Sequence, residues 1–87
     1  FIFAVNLNAA VRYLKLYNKA SAPTVGTDTP IATLPIPAST TGAGFSLSIP
    51  DGVNFSTGIA YATTTGAADS DTAAVAANEI FVFMGYV

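Results

Sequence analysis

The 87-residue sequence contains no cysteine, no histidine and no tryptophan, and charged residues make up only 9% of it. Without cysteine there is no disulfide framework and no thiolate metal site. Without histidine the usual general base, the usual zinc ligand and triads of the Ser-His-Asp type are excluded. An enzyme built from this chain would have five carboxylates, three cations and hydroxyl groups to work with. We therefore expect a protein that is not an enzyme and that has no catalytic residue, cofactor or resident metal.

Charge of either sign is also scarce, with three Lys and Arg against five Asp and Glu and a net charge of −2. Three cations do not make the basic patch that neutralises nucleic-acid phosphates. The longest uncharged stretch, Thr29–Pro50, contains four prolines and is not the apolar run that spans a bilayer. We expect neither a nucleic-acid nor a membrane partner. The start at Phe1, inside an apolar run, indicates either a processed chain or an excerpt of a longer one.

Apolar and polar residues alternate with a period of two at several places, which predicts β-strands. The first two alternating runs, Phe1–Leu7 and Val11–Tyr17, are expected to pair as an antiparallel hairpin. Within the second run, Lys15 lies on the same face as the tyrosines and opposite the leucines. Four further runs have the composition of strands: Pro30–Pro37, Phe45–Ile49, Gly58–Thr63 and Glu79–Val87.

Six or seven short strands with turn residues between them predict an all-β fold without a long helix. We expect a single domain over residues 1–87, a small antiparallel β-sandwich that is jelly-roll-like or barrel-like. Pro35 cannot donate to a ladder, so its strand is expected at an edge. The long segment Thr64–Asn78 is expected to be a loop, with Thr72 as the N-cap of one helical turn at Ala73–Ala77.

Few polar side chains are candidates for a site. Asp69 and Asp71 form the one acidic cluster and could offer oxygen ligands to Ca²⁺, but the EF-hand spacing is absent, so a solvated loop is expected. The three cations either pair with acids of a neighbouring subunit or protect a strand edge. Lys15, within an apolar pattern, could alternatively enter an isopeptide cross-link. The tyrosines are expected in the core or a subunit interface, with a sugar-binding surface as the alternative: Tyr13, Tyr17, Tyr61 and Tyr86.

The last predicted strand, Glu79–Val87, is apolar on both of its faces. Such a strand is either central and covered on both sides or part of a subunit interface. A chain with so little charge and a small core is expected to bury part of its surface against copies of itself, most simply as a closed trimer. The predicted interface residues are Phe1, Phe3, Ile80, Phe81, Val82, Phe83 and Tyr86.

Three segments resemble small structural proteins of tailed bacteriophages. They are Val11–Pro30, which contains Lys-Leu-Tyr-Asn-Lys and ends in Thr-Asp-Thr-Pro, the glycine-led Gly52–Tyr61, and Asp69–Thr72. With the segments in this order and at this spacing, the resemblance covers most of the chain, from about Val11 to Val87. The resemblance implies a virion component with no catalytic residues to carry over.

The form most similar to this short all-β chain is a head decoration or cement protein. The resemblance then implies a homotrimer bound to the major capsid protein on the outer surface of the head. A tail, baseplate or fibre module is the alternative within the virion. A small carbohydrate-binding β-module is the alternative outside it, and would be expected to expose aromatic residues at loop tips. The loops Asn18–Asp28 and Thr64–Asn78 contain none.

Overall fold

The computed structural model describes residues 1–86 and contains six β-strands in two three-stranded antiparallel sheets. We name the sheet with strand order β4-β1-β6 the first sheet and the sheet with order β3-β2-β5 the second sheet. The described residues include no helix, and the predicted all-β sandwich is confirmed. The strands are β1 Ile2–Asn6, β2 Arg12–Asn18, β3 Ala32–Ile36, β4 Ala43–Leu47, β5 Ile59–Thr64 and β6 Ile80–Met84.

The predicted hairpin between the first two strands is wrong. β1 is the central strand of the first sheet and β2 the central strand of the second, so residues 7–11 cross from one sheet to the other. Alternation fixes which side chains share a face, but it does not select the partner strand. The crossing lacks a two-residue hairpin turn and is held instead by side-chain amides. Asn6 Oδ1 accepts from the Asn8 amide at 2.8 Å, and Asn8 Oδ1 accepts from the Ala10 amide at 2.8 Å.

The core lies between the two sheets and follows the predicted alternation. Its fully enclosed members are aliphatic and come from the central strands and from β3. Partly buried side chains of the edge strands close around them, among them Phe45, Val82 and Met84. The core residues are Ile2, Ala4, Leu14, Leu16 and Ile36.

The edge strands match some expectations and correct others. β3 contains Pro35 and is an edge strand, as predicted. β6 is also an edge strand, so the first of the two alternatives for this run, a central strand covered on both sides, is wrong. The helical turn at residues 73–77 is absent, because Ala74 pairs with Thr64 as a β-bridge and the Thr65 amide donates to the Ala73 carbonyl at 3.0 Å. Pairing with the end of β5 thus satisfies main-chain groups that would otherwise form hydrogen bonds within a helical turn.

Candidate functional site

The outer face of the first sheet is apolar and exposed. The alternation that directs Ile2 and Ala4 into the core directs their neighbours outward. On this face Phe3 is paired with Phe83, and the rings of Phe1 and Phe83 lie 5.7 Å apart between centroids. Six of the outward side chains on this face are apolar, and Ser46 of β4, opposite Phe3, is polar. The six apolar ones, which we call the aromatic face, are Phe1, Phe3, Val5, Leu7, Phe81 and Phe83.

The structure brings four predicted interface residues together on the aromatic face. Phe81 and Phe83 are 52% and 65% exposed, and Phe1 and Phe3 stand beside them with about half of their surface in water. The other predicted residues lie elsewhere. Ile80 and Val82 point to the opposite side of β6 and pack against the core. Tyr86 follows the end of the strand and is highly exposed.

An open groove separates β5 from β6 on one side of the sandwich. It has a volume of about 560 Å³, and no charged residue lines it. Tyr61 belongs to the face of β5 that carries the inward side chains, because it is opposite Leu16 in the ladder, yet it is 50% exposed. The lining residues are Phe55, Gly58, Ile59, Tyr61, Val82, Phe83, Met84 and Tyr86.

Among the groove residues on and before β5, the sequence predicts only Tyr61 in the core or at a subunit interface, and it makes no such prediction for Phe55, Gly58 and Ile59. The signal was the alternation itself, which puts Ile59 and Tyr61 inward on a strand. What the alternation cannot show is that this end of the interior has no covering strand.

The outer face of the second sheet is covered by the chain's own loops. Residues 19–31 and 65–78 lie over β2, and Lys15 and Tyr17 beneath them are 0% and 1% exposed. The two loops touch where Gly26, at φ +90°, meets the side chain of Thr72. The Lys19 ammonium donates to an Asp28 carboxylate oxygen at 2.7 Å, and this hydrogen bond holds the pKa of Asp28 below its usual value.

Lys15 is buried as a donor to main-chain carbonyls. Its ammonium donates to the carbonyl oxygens of Ala68 at 2.6 Å and Asp71 at 3.3 Å, which belong to one turn of the covering loop. Neither bond is to a carboxyl or carboxamide group, which an isopeptide cross-link would require. Beside it, burial raises the pKa of the Tyr17 hydroxyl, and the charges of Asp28 and Asp69 raise it further.

The turn above Lys15 is also where the candidate metal ligands lie. Asp69 is exposed, and one carboxylate oxygen of Asp71 accepts from the Ala73 amide at 2.8 Å. A cation held here would approach an ammonium group that already binds the main chain of Asp71, and like charges repel. Within residues 1–86 no group of three or more acidic side chains converges on a metal position. The arrangement fits a structural turn.

The third cation joins the two sheets at the end of the sandwich. Arg12 of β2 donates to Glu79, the residue before β6, with Nε 2.9 Å from Oε2. The same carboxylate accepts from the Asn8 side chain and from the Ala76 amide. The hydrogen bond from Arg12 is the main cause that lowers the pKa of Glu79, and desolvation opposes it. All three cations therefore serve contacts within the chain.

Comparison with known proteins adds no relative, since no family model, no curated protein and no solved structure matches the chain. Among residues 1–86, no helix is long and apolar enough to cross a membrane. Of the features described above, the aromatic face and the neighbouring groove are the two large apolar surfaces left in water.

Proposed function

We propose that this protein is a non-enzymatic structural component of a bacteriophage virion, in the form of a capsid decoration or cement protein. The aromatic face is the observation that carries the self-association in this proposal. The resemblance of Val11–Pro30, Gly52–Tyr61 and Asp69–Thr72 to phage structural proteins carries the virion assignment. The proposed partners are further copies of the chain and the major capsid protein, and the proposed location is the outer surface of the head.

The size of the aromatic face supports a contact with protein. Its four phenylalanines expose roughly 430 Å², if a fully exposed aromatic residue is taken as about 200 Å². A patch of this size on a small chain is typical of an interaction site. Burying it would contribute about 10 kcal/mol at about 25 cal/mol per Å², before the costs of association.

The composition of the face distinguishes a protein contact from a sugar contact. Its aromatic residues are all phenylalanines, which have no polar tip for a sugar hydroxyl, and they lie on or next to strands. Sugar recognition would need hydrogen-bonding groups among the rings. The alternative carbohydrate-binding module is therefore less well supported than a subunit contact.

Phe83→Asp tests the self-association. Because Phe83 is 65% exposed, the change places a charge on the aromatic face without opening the core. In sedimentation at micromolar concentration we expect the unmodified chain to form a stable oligomer and the variant to be a folded monomer. The trimer predicted from the sequence corresponds to three times the chain mass of 8.9 kDa.

The matched control is Ile31→Asp, which changes an apolar residue of similar exposure far from the aromatic face. We expect it to leave the oligomer intact. A monodisperse monomer of the unmodified chain would overturn the self-association. A map of the particle that carries this chain would test the virion assignment separately, because it would place the chain on the head, on the tail or on neither.

A further inference from the structure

We infer that the free edge of β6 pairs with the β6 strand of a second copy, antiparallel and around a two-fold axis at Val82. This inference deepens the proposed self-association and rests on it. It adds a defined contact between strand edges to the contact proposed for the aromatic face. The first sheets of two chains would then form one continuous six-stranded sheet.

The main-chain groups at this edge point outward in the arrangement that strand addition needs. The Leu7 amide donates to the Glu79 carbonyl at 2.9 Å, and the Gly85 amide donates to the Phe1 carbonyl at 2.9 Å. Because ladder bonds alternate along a strand, Phe81 and Phe83 also face β1, whereas Ile80, Val82 and Met84 face the open edge. Within residues 1–86, no strand pairs with β6 on that side.

β6 lacks the features that keep strand edges apart. Its sequence, Ile-Phe-Val-Phe-Met, has no charge, no proline and no glycine. By contrast, the edge strand β3 contains Pro35, and the edge of β5 is occupied at Thr64 by Ala74. An exposed, uncharged and apolar edge is the kind that pairs with another chain.

The strand is also self-complementary, which favours a second copy as the partner. Rotation about Val82 places Val82 opposite its equivalent, Phe81 opposite Phe83 of the second copy, and Ile80 opposite Met84. Every residue of β6 thus meets an apolar residue of similar size. A contact in which the same patch serves both chains closes by itself and leaves no free β6 edge. The paired phenylalanines would continue the aromatic face across both chains.

The groove beside β6 gives the added strand an apolar layer to cover. Two tyrosines on the groove side of this edge, Tyr61 and Tyr86, expose roughly 260 Å² at about 200 Å² for a fully exposed ring. The main-chain edge and the aliphatic side chains of β6 add to that area. A specific interface at the lower end of the usual range needs about 600 Å² from each partner. Cover by the strand of a second copy would also explain why Tyr61 faces inward and is nevertheless exposed.

Single cysteines test the pairing, since the chain has no native cysteine. Under mild oxidation we expect V82C to form a covalent dimer, because paired residues of an antiparallel ladder lie within disulfide distance. We expect F81C alone and F83C alone to run as monomers on a denaturing gel without reductant. In the proposed pairing neither cysteine lies opposite the same residue of the second copy. A mixture of F81C and F83C should cross-link. Circular dichroism checks that each variant is folded.

Each outcome separates this inference from the proposed function. If the unmodified chain is an oligomer but V82C does not cross-link, the edge pairing is overturned and the aromatic contact stands. Self-cross-linking of F81C or F83C without cross-linking of V82C assigns the contact to the aromatic face and overturns the axis at Val82. Pairing of β6 strands also requires an even number of chains. The particle would contain two chains, or six if the pairs also form closed trimers. A stable particle of three chains would contradict it.

Discussion

The outer faces of the two sheets solve the problem of covering a β-sheet in opposite ways. On the second sheet, loops of the same chain bury Lys15 and Tyr17 almost completely. On the first sheet, Phe81 and Phe83 and their neighbours remain in water. The two faces are similar in width, since each sheet has three strands. They differ in what a missing cover would cost.

A polar group and an apolar face place different demands on their cover. A desolvated ammonium needs its acceptors whenever the chain is folded, because a buried unpaired charge costs several kcal/mol. The turn that supplies the Ala68 and Asp71 carbonyls must therefore belong to the same chain. A phenylalanine face has no bond to lose in water, so its cover can be a separate molecule. Intramolecular cover thus coincides with the polar face, and the apolar face is left for a partner.

The largest effect is expected from removing the buried cation. Lys15→Ala leaves two loop carbonyls without their donor and a void where the side chain stem packed. We expect a loss of about 3 kcal/mol in the free energy of unfolding, from an unsatisfied polar group together with a cavity. Urea unfolding measures it, and Lys19→Ala is the control, because exposed ion pairs contribute about 0–1 kcal/mol. Equal losses in the two variants would show that the cover does not depend on Lys15.

The contrast between the faces could be predicted from the sequence only in part. Alternation predicts Lys15 opposite the leucines and Phe1 and Phe3 on one face, and the structure agrees on both. It could not show that one outer face is covered, because the covering loops have no periodicity and their sequence is mostly small residues. It also paired β1 with β2, since neighbours in sequence are the usual partners.

The candidate interface shows the same limit. Phe81 and Phe83 are predicted at the interface because they lie on a strand with two apolar faces. Ile80 and Val82 satisfied the same criterion but belong to the inner face, and only the position of the core distinguishes the two sides of β6. For Tyr61 the sequence leaves the core and an interface as alternatives, because its exposure results from an interior that is open at one side. Whether the interior is open at one side depends on how the two sheets overlap, and the alternation within single strands carries no information about that overlap.

A smaller effect is expected where the two covering loops meet. Gly26 has φ +90°, and a Cβ there would lie 2.5 Å from the Thr72 methyl carbon. Gly52 has φ +72° with open space around it. We expect Gly26→Ala and Gly52→Ala each to lose about 1 kcal/mol from the backbone alone. The Gly26 variant should lose more, because Thr72 must move. Thermal unfolding of both variants measures the difference, and equal shifts would mean that the loops do not support each other.

The smallest effect concerns the seam between the sheets and depends on pH. The hydrogen bond from Arg12 lowers the pKa of Glu79, so the ionised carboxylate stabilises the folded state. A carboxyl with a lowered folded pKa contributes its stability above its unfolded pKa, about 4.3, and loses it as the pH falls through the folded value. Glu79→Gln should therefore melt below the unmodified chain at pH 7.

The two melting temperatures should converge as the pH falls through the lowered pKa of Glu79 in the folded state, because protonation removes the same charge from the unmodified chain that the substitution removes. Both proteins should still lose stability in acid, since the pKa of Asp28 is lowered by its hydrogen bond to Lys19. Asp69→Asn, at an exposed carboxylate, is the control and should follow the unmodified chain at each pH. A constant difference between the Glu79 variant and the unmodified chain from pH 7 to pH 3 would mean that Glu79 acts through packing. In that case the two sheets are joined at this end by the shape of the side chain, and the charge of Arg12 contributes nothing to the seam.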